Sequence, residues 1–214
     1  MEILYEDNHI IAVYKPAGVL TQGDITGDES LMDMVKKYIK EKYNKPGNVF
    51  LGLVHKLDRP VSGIVLLAKT SKGASRLSEQ FRNHEIEKTY YAIVSGKPKN
   101  GIIKSHILKD ELKKKAIVGD KGQLAELSYK VISSNDKFSL LEVKPKTGRF
   151  HQIRAQLSSI GHPILGDKKY GGKPLRDKTI CLCAVSISFK LPTKEELKTI
   201  SIPYPKEWED RLKT

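Results

Sequence analysis

Short apolar runs cut by turn residues limit what this chain is able to fold into. Val49 to Val54 and Ile64 to Ala68 are rich in branched residues and too short for helices, so both read as strands. Between them lies His55-Lys56-Leu57-Asp58-Arg59-Pro60-Val61-Ser62-Gly63. Arg59-Pro60 and Ser62-Gly63 are breakers that place Asp58 on the connection, pinned at both ends by buried backbone. A carboxylate held among three basic side chains suits a ligand, a base or a nucleophile. Taken alone, an Asp beside Pro and Gly is more usually a turn residue bonded to its own backbone. Partners from elsewhere in the chain must decide.

Charge narrows the class of partner. Of 214 residues, 38 are Lys or Arg and 25 are Asp or Glu, a net charge of +13. Residues 97–121 hold eight lysines against three acids, and residues 144–178 hold nine Lys and Arg against two. An excess confined to two segments points to a polyanion, with a solvated lysine-rich surface as the plain alternative. Nucleic acid is preferred to membrane because no basic amphipathic helix with a bulky apolar face accompanies the charge. Cys181 and Cys183 fall in one apolar run and would share a strand face. They support neither a disulfide framework nor a four-ligand zinc site, and the six histidines lack metal-ligand spacing. No apolar run approaches ~20 residues and the start has no signal-peptide layout. A soluble, reduced, cytoplasmic protein is expected, a monomer by default.

Along the chain, Ile3 to Tyr5 and Ile10 to Tyr14 flank Asp7-Asn8 as a hairpin, followed by a turn at Lys15-Pro16-Ala17-Gly18. Ser30 to Tyr43 is helical, with Leu31, Met34, Val35, Tyr38 and Ile39 in one stripe, Ser30 as cap and Asp33 at the capping-box position. Ser71 to His84 reads as a second helix, and Lys88 to Val94 as a strand with Tyr90 and Tyr91 on opposite faces. Ile102 to Val118 forms a lysine-studded hairpin or arm; Leu124 to Ser133 and Phe138 to Val143 form an antiparallel pair.

Thr147-Gly148-Arg149-Phe150-His151-Gln152-Ile153-Arg154 opens a helix whose stripe is Phe150, Ile153, Leu157 and Ile160, with Arg154 at its edge. An arginine there is partly desolvated and needs an anion, for which Asp58 is a candidate, unless it lies along the surface with its stem over the core. The glycine-rich run from Gly161 to Gly172 lacks P-loop spacing, so no nucleotide triphosphate site is expected. It fits a loop on an RNA backbone or an ordinary turn. Thr179 to Phe189 is a strand, and the tail holds an edge strand, a proline turn and a helix with Trp208. No flexible linker interrupts the pattern, so residues 1–214 read as one domain.

Taken in order, the segment His55 to Gly63, then Lys88-Thr89-Tyr90-Tyr91-Ala92, then Thr147 to Arg154, resembles the signature motifs of the RluA family of RNA pseudouridine synthases. Gly161-His162-Pro163-Ile164-Leu165-Gly166-Asp167, Tyr170-Gly171 and the opening from Tyr5 to Gly18 continue the likeness over about residues 3–206. The resemblance implies an α+β fold with a bent, mostly antiparallel mixed sheet, flanking helices and a central RNA-binding cleft. Many members carry an N-terminal S4 domain; with the pattern starting at residue 3, none is expected here. Carried over, Asp58 matches the nucleophilic aspartate, Tyr90 the tyrosine that stacks on the uridine and takes the C5 proton, and Arg154 the arginine that pairs with the aspartate. His55, Lys56, Arg59, Arg149, His151, Gln152, Lys168 and Lys169 are the expected RNA contacts, with structured ribosomal or transfer RNA as partner. An isomerisation of this kind needs no cofactor, metal or nucleotide. Lys56 stands where the family usually has Arg, Val61 where Thr is frequent and Cys183 where His is common. Lys56 and Cys183 leave open an alternative, a non-catalytic RNA-binding protein on a synthase scaffold.

Overall fold

Eleven strands and four helices form from residues 1–213, the residues that this computed structural model describes. The first stretch holds β1 (Glu2–Glu6), β2 (Ile10–Lys15), α1 (Leu31–Lys42), β3 (Gly52–Leu53), β4 (Ser62–Ala68) and α2 (Ser71–Arg82). Then come β5 (Glu87–Ser95), β6 (Gly101–Asp110), β7 (Lys115–Gly119), β8 (Gln123–Ser134) and β9 (Phe138–Pro145). The remainder is α3 (Gln152–Ser159), a single 3-10 turn at Lys168–Tyr170, β10 (Leu182–Lys190), β11 (Leu197–Ser201) and α4 (Trp208–Lys213). The chain is α+β, and every strand pair with an assigned register is antiparallel. Two compact units make it up: Met1–Ile86 with Ser186–Ile202, and Glu87–Val185 with the chain from Pro203 onward.

In the first unit, β2 and β4 run antiparallel from Ile10↔Ala68 to Lys15↔Gly63, and β4 is buried throughout. Such unbroken apolar strands belong in the middle of a sheet, so β1 pairs on the far side of β2. Asp7 Oδ1 accepts from the His9 and Ile10 amides at 2.7 and 2.8 Å, which makes the β1–β2 turn. The capping box at Ser30 and Asp33 starts α1, and Lys40 and Lys42 sit in its last turn, where the helix dipole favours cations. Thr70 caps α2. Ile10, Ile64, Leu66, Leu77 and Phe189 are the centre of the core between helix and sheet. At the end of β1, Glu6 takes hydrogen bonds from Lys42, Lys69, Tyr38 and Tyr43. Burial alone would raise its carboxyl, but those four donors together bring it down to about 2.

The second unit has the strand order β5-β9-β8-β6-β7. Alternation puts Ile107, Ala116 and Ala125 on one face, where Ala155 of α3 and Tyr170 cover them. Trp208 of α4 is buried, its ring stacked near Tyr204, and Asn135 Nδ2 donates to Leu212 O.

Three local expectations fail for identifiable reasons. Only Gly52 and Leu53 of the expected 49–54 strand pair with β4. Further along, the Leu66 amide is taken by the His55 ring instead of a strand carbonyl. The helix after Thr147 begins five residues late, because His151 lies in the left-handed region at φ 50 and ends a turn instead of continuing a helix. Phe150 and Ile160 therefore lie outside it. Cys181 precedes β10 instead of sharing a strand with Cys183; its amide donates to Leu165 O and its carbonyl accepts from Ile93 N. Among the described residues, no helix is long and apolar enough to cross a membrane.

Candidate active site

Asp58 owes its position to its neighbours. Leu57 and Val61 are buried on either side of it, and the Val61 amide closes the turn on Asp58 O at 3.0 Å. Thr21 Oγ1 donates to Leu57 O at 2.7 Å and accepts from the Leu57 amide at 3.3 Å, which fixes the backbone one residue upstream. Lys15 grips the turn itself. It is fully buried at the end of β2, and its ammonium donates to Pro16 O (3.0 Å), Val19 O (2.7 Å) and Arg59 O (3.2 Å). The Gly18 amide also donates to Arg59 O, at 2.7 Å. Burial pushes the Lys15 ammonium down to about 8; the Asp58 charge opposes that fall and the Arg59 charge adds to it. Sequence reasoning passed over Lys15, reading it as part of a turn. The available signal was a lysine closing a strand whose other residues are all apolar or aromatic except for itself.

The other predicted residues of this unit divide by employment. His55 Nε2 accepts from the Leu66 amide at 2.8 Å and its ring stacks on Phe81, so it anchors the turn to β4 and α2. Arg59 donates from Nε to Gly18 O and from Nη2 to Asp28, in an ion pair about half exposed on both sides. Lys56 is exposed.

In the second unit Tyr90 stands on β5 opposite Val143, half-buried. Lys88, two residues earlier on the same strand face, lies close enough to Gly148 that a Cβ there would be 3.8 Å from its Nζ. Burial pushes its ammonium below the ordinary lysine value. Gln152 is buried with its amide engaged inside the 147–152 turn: Oε1 accepts from Thr147 Oγ1 and the Arg149 amide, and Nε2 donates to Glu126 O. Arg149 Nε donates to Leu124 O. His151 stacks on Phe150 and shares a 2.9 Å hydrogen bond with Tyr170 Oη.

Arg154, 5% exposed, is deeper than the stripe-edge position expected from the wheel. Its Nε and Nη2 donate side-on to the two oxygens of Asp167, at 2.7 and 2.9 Å, and its guanidinium lies 5.2 Å from the centre of the Tyr170 ring. Asp167 was read only as part of a glycine-rich loop; a lone acid between Gly166 and Lys168-Lys169 was the clue. Tyr170 Oη also accepts from the Ala116 amide on β7 at 2.7 Å. Lys168 and Lys169 are exposed, and Lys169 Nζ reaches Lys114 O. Lys109 and Lys115 lie over the rings of Phe150 and Tyr170, so aromatic faces and cations alternate along this part of the unit.

A family model described as RNA pseudouridylate synthase matches residues 9–159. A ribosomal large subunit pseudouridine synthase C of Rickettsia typhi is 42% identical over 177 residues, 80% of this chain and 56% of the relative. The chain thus spans little more than half of that protein. An uncharacterised RNA pseudouridine synthase of Bacillus subtilis is 33% identical over 219 residues, covering 100% of this chain and 72% of the relative. Among solved structures, human RNA pseudouridylate synthase domain containing 4 superposes with a TM-score of 0.82 at 25% identity, over 99% of this chain and 93% of the other.

Proposed function

Because the chain belongs to the RNA pseudouridylate synthase family, we propose that it is an isomerase converting uridine to pseudouridine in RNA, with large-subunit ribosomal RNA as its substrate. The observation that carries the reading is the family match across residues 9–159, which includes the Asp58, Tyr90 and Arg154 motifs. The relative's name supplies the choice of RNA.

In the proposed reaction the C1′–N1 bond of uridine breaks, the uracil turns, and C1′ bonds to C5. The C5 proton leaves and N1 gains one, so atoms and electrons balance without a redox partner. Asp58 is the nucleophile toward the electron-poor C1′, dividing one hard displacement into two, as a carboxylate does in retaining glycosidases. Its rigid mounting on Leu57, Val61, Thr21 and Lys15 supports that role, since a covalent step depends on a fixed attack distance. Arg154 supplies the positive charge that keeps such a carboxylate ionised away from water. Tyr90 stacks on the uracil once it has left the helix and takes the C5 proton. Unstacking costs a few kcal/mol, and stacking on an aromatic returns ~1–3 kcal/mol per base. Lys56, Arg59, Arg149, Lys168 and Lys169 contribute the cationic contacts to the phosphates.

The test is incubation of the purified chain with a large-subunit ribosomal RNA transcript carrying 5-tritiated uridine. The reading expects tritium to pass to water and no free uracil to appear. Absence of release, or free uracil as product, overturns it.

A further inference from the structure

We propose that Asp167 is a positioning residue for Arg154, a second carboxylate that sets the angle at which the guanidinium is presented to the reacting centre. This rests on the reading above, in which Arg154 belongs to the catalytic machinery.

Gly166 has φ +92, and a Cβ there would lie 2.2 Å from Thr179 O; a Cβ on Gly172 would lie 2.0 Å from Ile164 O. Neither position accepts a side chain without moving backbone. Between them the chain closes on itself: the Asp167 amide donates to Ile164 O at 3.0 Å, while Asp167 O accepts from the Tyr170 and Gly172 amides at 3.0 and 2.9 Å. Gly-Asp-Lys-Lys-Tyr-Gly-Gly is therefore a cradle that fixes two side chains, Asp167 and Tyr170, and both point at Arg154.

Each constrains a different freedom of the guanidinium. The side-on bond from Nε and Nη2 fixes its plane and in-plane direction. The Tyr170 ring, 5.2 Å away, bounds one face. Tyr170 is itself held by His151, by the Ala116 amide and by Ser158 Oγ, which donates to its carbonyl. A flexible side chain with four rotatable bonds is thus locked into one orientation.

Stability alone does not account for the pair. The side chains of Arg154 and Asp167 are 6% and 1% exposed, and a buried ion pair gains little over two well-packed apolar residues of similar volume. What a bidentate pair provides and an apolar pair does not is direction.

The experiment compares Asp167→Asn, Asp167→Glu and Arg154→Lys in the full chain on the 5-tritiated large-subunit RNA transcript. It reads RNA affinity by filter binding, single-turnover tritium release at saturating RNA, and Tm. Asn keeps the shape and loses the charge; Glu keeps the charge and displaces it by one methylene. Positioning predicts that both Asp167 variants bind RNA within about twofold of wild type but turn over at least ~30-fold more slowly, in line with the sensitivity of rate to ~1 Å displacements. It also predicts that combining Asp167→Asn with Arg154→Lys slows release no further than the worse single variant. Should the Asn variant not fold, the Glu variant carries the same test. Wild-type turnover in either folded Asp167 variant, with Arg154→Lys inactive, overturns the inference and leaves the proposed function standing. Wild-type turnover in Arg154→Lys overturns the inference together with the part given to Arg154, while the release itself still supports the isomerase reading.

Discussion

Replacing Lys15 by methionine tests how the turn bearing Asp58 is held. Methionine is similar in length and carries no charge, so Lys15→Met removes the ammonium and its three hydrogen bonds together. Arg59 O keeps the Gly18 amide, whereas Pro16 O and Val19 O lose the ammonium. Two carbonyls deprived of a donor at ~1–3 kcal/mol each give a loss of about 2–6 kcal/mol. Relief of burying a cation offsets part of it: a fall from 10.5 to about 8 corresponds to ~3 kcal/mol against the charged form. The two together leave a net change at pH 7 between about 1 kcal/mol of stabilisation and about 3 kcal/mol of destabilisation, a Tm shift of no more than ~12 °C. With its clamp gone the Asp58 turn loosens, and kcat should fall ~10–100-fold.

The pH dependence is a sharper signature of the same substitution. Since the folded-state value lies below the unfolded one, the unfolded chain binds more protons between pH 8 and 10.5, so the contribution of Lys15 to stability rises with pH across that window. The methionine variant lacks this rise. Urea unfolding at steps from pH 7 to 10.5, with tritium release measured at pH 7.5, should show wild type gaining on the variant by up to ~3 kcal/mol. A stability difference that is flat with pH, together with unchanged kcat, would refute the reasoning.

Glu6→Gln should cost about 1–2 kcal/mol at pH 7 after allowance for solvent screening. The wild-type advantage should disappear as pH falls from 4.5 toward 2, because the folded-state carboxyl is the more acidic; acid titration of the two unfolding curves checks this. Gly166→Ala should destabilise by about 2–4 kcal/mol, from left-handed strain plus the collision with Thr179 O, readable as a lower urea midpoint. RNA binding should weaken at least ~10-fold between ~50 and ~200 mM salt, and Lys168→Ala with Lys169→Ala should flatten the log–log slope by ~1–2; a flat wild-type response would remove these segments from the RNA face.

Elements with a local cause were legible in the sequence. The capping box at Ser30 and Asp33, the Asp7 turn and the Asn135-Asp136-Lys137 turn each act within a few residues, and α1, β1–β2 and β8–β9 follow where expected. Misreadings came where a distant group or an irregular backbone residue intervened. The Leu66 amide donates to a histidine ring eleven residues away, and the wheel at 147–160 ignored the left-handed His151. Periodicity flagged Arg154 as needing an anion, and Asp167 is one that it finds. Asp167 lies thirteen residues on in a loop whose geometry two glycines set, and its place as a lone acid between Gly166 and Lys168 marks it without naming its partner. Lys15 was missed for a related reason: whether a lysine at a strand end snorkels or is buried depends on carbonyls 4 and 44 residues away.

In the proposed reaction Asp58 attacks the ribose. The most direct measurement is tritium release by Asp58→Asn from 5-tritiated large-subunit RNA, beside its Tm and RNA affinity. Nucleophilic attack by Asp58 predicts no detectable release, with Tm within ~3 °C of wild type and RNA affinity within about twofold. Release at the wild-type rate from the folded variant would contradict it.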